Sequence, residues 1–183
     1  MKSNILGGVV ALIAASSALA QGTINFSSVA VSGRPRITSN GANVGGATIS
    51  VEILAKAPGA ASFSAVQKVN TDGSLGAFSA INPLAGSNAG LFSGGTVSVP
   101  GIAGGSAASV IVRAWDNTTG ASFDAASLKG SVTFDIASLG GAGTPPSTPA
   151  IMAGYTGITL VPEPSTYALA ALGLGALLYF RRK

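Results

Sequence analysis

The sequence predicts an all-β fold, an antiparallel β-sandwich, for the central part of this 183-residue chain. Short segments there alternate between apolar and polar residues, as strands do when one face is buried. Turn-forming residues separate these segments, and the chain contains 26 glycines and 9 prolines. Such a composition argues against long helices between the two ends. About seven short strands joined by glycine-rich turns are typical of a β-sandwich.

The strand pattern is clearest where Ile49, Val51 and Ile53 fall on one face of a predicted strand. Residues 109–115 are apolar on both faces except at Arg113, which predicts a central strand. The predicted strands are 47–53, 96–99, 109–115, 131–136 and 157–160, with weaker patterns at 23–26 and 64–69.

Three other features of the central part predict local structure. Pro100 should end the strand at residues 96–99, because proline has no backbone N–H to donate to a sheet. A short helix is an option at residues 121–128. Residues 140–149, rich in glycine and proline, are expected to form an irregular link into the last strand.

The composition excludes several classes of function. Residues 21–160 contain six basic and five acidic residues and no long basic run, so a nucleic-acid surface has little support. The chain has no cysteine and no histidine. This excludes disulfides and every nucleophile system built on cysteine or histidine, as well as most transition-metal sites. We therefore expect no metal and no cofactor.

The N-terminus has the layout of a secretory signal peptide. Lys2 precedes an apolar stretch at residues 5–15, and small residues then lead to Ala18 and Ala20. This pattern predicts cleavage by signal peptidase between Ala20 and Gln21. An uncleaved N-terminal anchor is the alternative.

The C-terminus combines three features in a fixed order. Pro162, Glu163 and Pro164 come first, and the two proline rings favour an extended backbone that a protease could bind. An apolar stretch at residues 167–180 follows and predicts a transmembrane helix. Its fourteen residues would span about 21 Å, against roughly 30 Å of hydrocarbon, so it suits transient retention better than permanent anchoring. The chain ends in three basic residues that should stay cytoplasmic and orient the helix, namely Arg181, Arg182 and Lys183.

Together, these features at residues 161–183 resemble the PEP-CTERM sorting signal of Gram-negative bacteria. The resemblance implies that an exosortase, an integral-membrane transpeptidase or protease, acts at Pro162, Glu163 and Pro164. It also implies transient residence in the inner membrane, followed by delivery to the cell surface or extracellular space. Exopolysaccharide or biofilm matrix is the associated partner that the resemblance implies. An ordinary single-pass anchor with a proline-rich stem is the alternative.

The sequence thus divides into a signal peptide at residues 1–20, a β-sandwich-like extracellular domain at 21–160 and the sorting signal at 161–183. A looser similarity to bodies of PEP-CTERM proteins extends over residues 96–131, and it implies no catalytic residue there.

The central part offers few candidate ligand contacts. Trp115 is the only tryptophan, and core packing is the favoured interpretation, with stacking on a sugar ring as the alternative. Tyr155 is a second candidate for such stacking. Asp116 and Asp124 bracket a loop and could supply oxygen ligands to Ca²⁺, but turn formation is favoured because a full Ca²⁺-loop spacing is missing. Arg113 is expected to pair with Asp124 or with Asp135, or else to extend its head into solvent.

Three functional hypotheses follow for the mature body. A structural or matrix-associated surface protein is favoured, since charged residues form only 9% of the chain. A carbohydrate-binding module would need Trp115 or Tyr155 exposed. A glycoside hydrolase would need two acids about 5–10 Å apart, and only Asp116 and Asp124 lie near each other on one loop. We expect no enzymatic activity and no catalytic residue.

Overall fold

The computed structural model describes residues 21–141, residues 143–163 and Phe180. The first two of these ranges contain no α-helix and twelve strands. The strands are β1 (Gln21–Ser27), β2 (Ile37–Ser39), β3 (Ala42–Asn43), β4 (Ile49–Lys56), β5 (Ser64–Ala65), β6 (Gln67–Val69), β7 (Leu75–Ala77), β8 (Ser93–Ala103), β9 (Ala108–Asp116), β10 (Leu128–Ile136), β11 (Ala150–Ile151) and β12 (Ile158–Pro162).

The strands form two sheets. One has five strands in the order β11-β1-β8-β6-β7, and the other has seven in the order β3-β2-β12-β10-β9-β4-β5. The all-β prediction is therefore confirmed, but the purely antiparallel arrangement is wrong. β11 runs parallel to β1, and β12 runs parallel to β2, so both sheets are mixed. Each parallel partner arrives from a distant part of the chain, so no hairpin imposes an antiparallel direction.

The two sheets bury their inner faces in one hydrophobic cluster. Ile24 and Val97 come from the five-stranded sheet, whereas Val51 and Val112 come from the seven-stranded sheet, and all four are fully buried. A core shared between two stacked sheets is the defining feature of a sandwich. Strand β9 lies between β10 and β4, as its apolar character on both faces predicts.

Aromatic rings fill one part of this core. Phe92 lies 4.8 Å from Phe26 and 5.4 Å from Tyr155, measured between ring centroids. The backbone of Phe92 is fixed by Ser28, the residue after β1, because its N–H donates to Ser28 Oγ at 3.0 Å and its carbonyl accepts from the Ser28 N–H at 3.0 Å. Hydrogen bonds thus position the ring that fills the space between the sheets.

Some local expectations are wrong. Pro100 does not end β8, which continues to Ala103. The ladder with β1 instead shifts register, because Gly22 pairs with Val99 while Gln21 pairs with Ala103. The intervening residues bulge out of the ladder, where the missing N–H of proline costs no hydrogen bond.

The short helix suggested at residues 121–128 is absent, since this segment forms turns before β10 begins. The link at residues 140–149 leads first to β11, a strand that the sequence pattern did not predict. The structure also contains the unpredicted short strands β2, β3 and β7.

The predicted signal peptide lies outside the described residues. So does the predicted transmembrane helix, except for Phe180. Among the residues that the structure describes, no helix has the length and apolar character needed to cross a membrane.

Tyr155 provides a test of the core that depends on pH. Its side chain is buried, and its hydroxyl has no hydrogen-bond partner among the described residues. Burial raises the pKa of this hydroxyl above its ordinary value of 10.0, so the folded state keeps a proton that the unfolded state releases. The free energy of unfolding therefore does not depend on this ionisation below about pH 10, and it falls as the pH rises further.

We expect Tyr155→Phe to leave the free energy of unfolding unchanged at pH 7 or to raise it by about 1 kcal/mol, because it removes an unpaired buried hydroxyl. Above pH 10 the unaltered chain should lose stability more steeply than the variant, by up to about 1.4 kcal/mol per pH unit. Urea unfolding at pH 7, 10 and 11 measures both effects. Equal slopes for the two chains above pH 10 would show that Tyr155 ionises as easily in the folded protein as in the unfolded one.

Candidate sorting and processing site

The last strand of the fold continues directly into the candidate processing motif. In β12, Ile158 and Leu160 are buried in the shared core. Val161 and Pro162 then become exposed, although they still pair with β10. Only two residues therefore separate the buried Leu160 from Glu163. The motif therefore begins within the last strand, without a linker between it and the folded body.

Glu163 is attached to the body by two contacts. Its backbone N–H donates to the carbonyl oxygen of Ser127 at 2.8 Å. Its carboxylate Oε1 lies 3.0 Å from Nζ of Lys129, and the glutamate side chain remains 58% exposed. Pro164 lies outside the described residues. The proline-rich segment is thus extended up to Glu163, as its sequence predicts, but it lies along the body rather than apart from it.

Lys129 is held in place by the loop that precedes β10. Its Nζ donates to the carbonyl oxygen of Asp124 at 3.2 Å and lies 5.1 Å from the centroid of the Phe123 ring. The lysine side chain is only 13% exposed. The guanidinium of Arg113 lies 4.7 Å from the centroid of the same ring, so two cations contact Phe123. The ammonium group of Lys129 is therefore positioned before it meets Glu163.

Trp115 supports this loop from inside the fold. The residue is 5% exposed, and its ring lies 6.4 Å from Phe123 in an edge-to-face arrangement. Core packing, the favoured interpretation, agrees with this burial. The stacking of a sugar ring on Trp115 or on Tyr155 lacks the exposed aromatic face that it needs, because both residues are buried.

The two candidate aspartates have separate local contacts. Asp116 Oδ1 accepts hydrogen bonds from the backbone N–H and the hydroxyl of Thr118, at 2.8 and 2.6 Å, which agrees with turn formation. Asp124 is exposed over 88% of its side chain. Among residues 21–141 and 143–163, no three acidic residues come close enough together to hold a metal ion.

The main partner of Arg113 is a residue that the sequence interpretation missed. Arg113 pairs with Glu52 across β9 and β4, with 2.6 Å between Nη2 and Oε1. Asp124 lies 3.9 Å from Nη1, so it is a secondary partner, and Asp135 instead accepts a hydrogen bond from Ser109. Glu52 stood on the polar face of a correctly predicted strand. Only the register between β4 and β9 would have identified it as the partner.

Comparison with known proteins bears on the end of the chain. Residues 160–183 match a family model described as the PEP-CTERM protein-sorting motif. No curated protein and no solved structure matches the chain. The matched segment begins at Leu160, inside β12, so its first residues belong to the folded body as well as to the motif. The chain therefore carries a PEP-CTERM protein-sorting motif at its C-terminus and is an exported protein sorted by that signal.

Proposed function

We propose that this protein is a structural component of the cell surface or extracellular matrix, delivered there after an exosortase-type enzyme processes its C-terminal signal. The observation that carries the proposal is the sorting motif at residues 160–183. Processing near Glu163 would leave β12 complete, because this strand ends at Pro162. The released product would keep both sheets and their shared core.

The properties of the body support a non-catalytic role. Its acidic side chains have local partners, as Glu52 pairs with Arg113, Asp72 accepts hydrogen bonds from Ser74, and Asp116 closes a turn. The body is also nearly neutral and poor in charged residues. These features are compatible with packing into a hydrated matrix. We propose that the partner in this matrix is exopolysaccharide.

The test is the intact mass of the protein from its native host, measured separately in membrane and medium. We expect a mature species that starts at Gln21 and ends between Pro162 and Pro164. The double variant Pro162→Ala and Pro164→Ala keeps the apolar and basic segments and should remain unprocessed. A species in the membrane that still ends at Lys183 would contradict the proposal and identify the tail as a simple anchor.

A further inference from the structure

We propose that the folded body holds Glu163 in a closed position against Lys129 and Ser127, and that release of Glu163 limits the rate of processing. The inference rests on the proposed function, since it concerns the regulation of the same site. Lys129 is a positioning residue here, and it acts by controlling how often the motif is accessible.

The backbone of the motif is already engaged by the body. A processing enzyme that binds an extended segment pairs with its backbone N–H and carbonyl groups, as an added strand does. The N–H of Glu163 is donated to the Ser127 carbonyl at 2.8 Å, and Val161 and Pro162 pair with β10. An N–H that is donated to the body cannot be donated to the enzyme at the same time. Binding to the enzyme through these groups therefore requires that this segment first leave β10.

The side-chain contact strengthens the closed position. An exposed ion pair usually contributes little, partly because two long side chains must be ordered to make it. The ammonium group of Lys129 is ordered beforehand by the Asp124 carbonyl and the Phe123 ring. Forming the pair with Glu163 at 3.0 Å then orders only the glutamate. This makes the contact stronger than that of a lysine projecting into solvent.

The segment that connects the core to Glu163 is short. Leu160 is fully packed in the core, at 2% exposure, and Glu163 follows three residues later. Three extended residues reach about 10 Å at most, so an enzyme in the membrane cannot bind the motif far from the body. The competent fraction of the chain is then set by the local opening at Lys129 and Ser127, and the apparent rate scales with that fraction.

The experiment follows cleavage of the full-length chain in native-host membranes over time. We expect Lys129→Ala to be processed about two- to five-fold faster than the unaltered chain, which is the change expected when an ion pair of this kind is lost. Lys129→Glu should be processed faster still, because it repels Glu163, and Lys129→Arg should restore the original rate. Lys68→Ala, which removes an exposed lysine from the other sheet, is the matched control and should change nothing.

Equal or slower processing of Lys129→Ala would overturn the inference. If the unaltered chain is never cut, the proposed function fails instead, so the two failures are distinguishable. Hydrogen exchange at the Glu163 amide of the full-length chain gives a readout that needs no enzyme. Exchange there should accelerate in Lys129→Ala while the Val112 amide in β9 stays protected. Unchanged exchange at Glu163, or equal acceleration at Val112, would also overturn the inference.

Discussion

Phe92→Ala is expected to lower the free energy of unfolding by about 4 kcal/mol, the largest effect on stability among the changes considered for this protein. The ring is fully buried and contacts the rings of Phe26 and Tyr155, with centroids 4.8 and 5.4 Å away. Removing it leaves a cavity in the core, and closely packed neighbours cannot move far enough to fill it. Trp115 is the only tryptophan and is buried, so its fluorescence can follow urea unfolding of the full-length chain.

A matched aromatic residue on the surface provides the control. Phe63 is only partly buried, and its ring lies 4.8 Å from Nζ of Lys56. Phe63→Ala should therefore cost less than about 1 kcal/mol. If Phe92→Ala does not fold, Phe92→Leu keeps most of the apolar volume and should cost about 1.5 kcal/mol. A loss below about 1 kcal/mol for Phe92→Ala would mean that the aromatic cluster does not support the core.

The positions of the long strands could be predicted from sequence, because each must bury one face or both. Alternation at Ile49, Val51 and Ile53 corresponds to the buried face of β4. The two-sided apolar pattern around Arg113 corresponds to β9 in the middle of its sheet. In both strands the pattern follows from burial on the sheet faces, so it needs no knowledge of the neighbouring strand.

The pairing of strands could not be predicted in the same way. β12 lies parallel to β2, with Ile158 opposite Ile37, and these residues are 121 positions apart in the sequence. Nothing in a single strand's alternation specifies such a distant partner or its direction. The shortest strands are also difficult to predict, because β3 and β11 have two residues each and two residues carry no period.

The same distinction, between patterns within one segment and contacts between distant segments, applies to the candidate site. The sorting motif depends on a contiguous pattern at residues 160–183, so it was visible in the sequence and its family match confirms it. The attachment of Glu163 to Lys129 depends on two residues 34 positions apart, which only the β10–β12 pairing brings together. The sequence alone does not distinguish Lys129 from the other lysines. Its environment of Asp124 and Phe123 gives it the positioning role that we propose.

The second large effect is expected at Gly130 of β10, which lies against β12. A Cβ atom at this position would collide with the carbonyl oxygen of Thr159 and lie 2.9 Å from Cγ2 of Ile158. The obstacle is largely backbone, so it cannot be relieved by rotating a side chain. Gly130→Ala should therefore push β12 away from β10 and lower the free energy of unfolding by about 3 kcal/mol. Urea unfolding, followed by Trp115 fluorescence, measures this loss.

A second glycine in a strand separates this collision from the general effect of adding a methyl group. At Gly76 in β7 a Cβ would meet only the side-chain amide of Asn70, with Nδ2 at an ordinary 3.5 Å. Gly76→Ala should leave stability unchanged or raise it by about 0.5 kcal/mol, since alanine restricts the unfolded chain more than glycine does. Because β12 leads into Glu163, Gly130→Ala should also accelerate hydrogen exchange at the Glu163 amide, and Gly76→Ala should not. If both variants are as stable as the unaltered chain, β10 and β12 do not approach as closely in solution as the structure has them, and the attachment of the sorting motif to the body would lose its support.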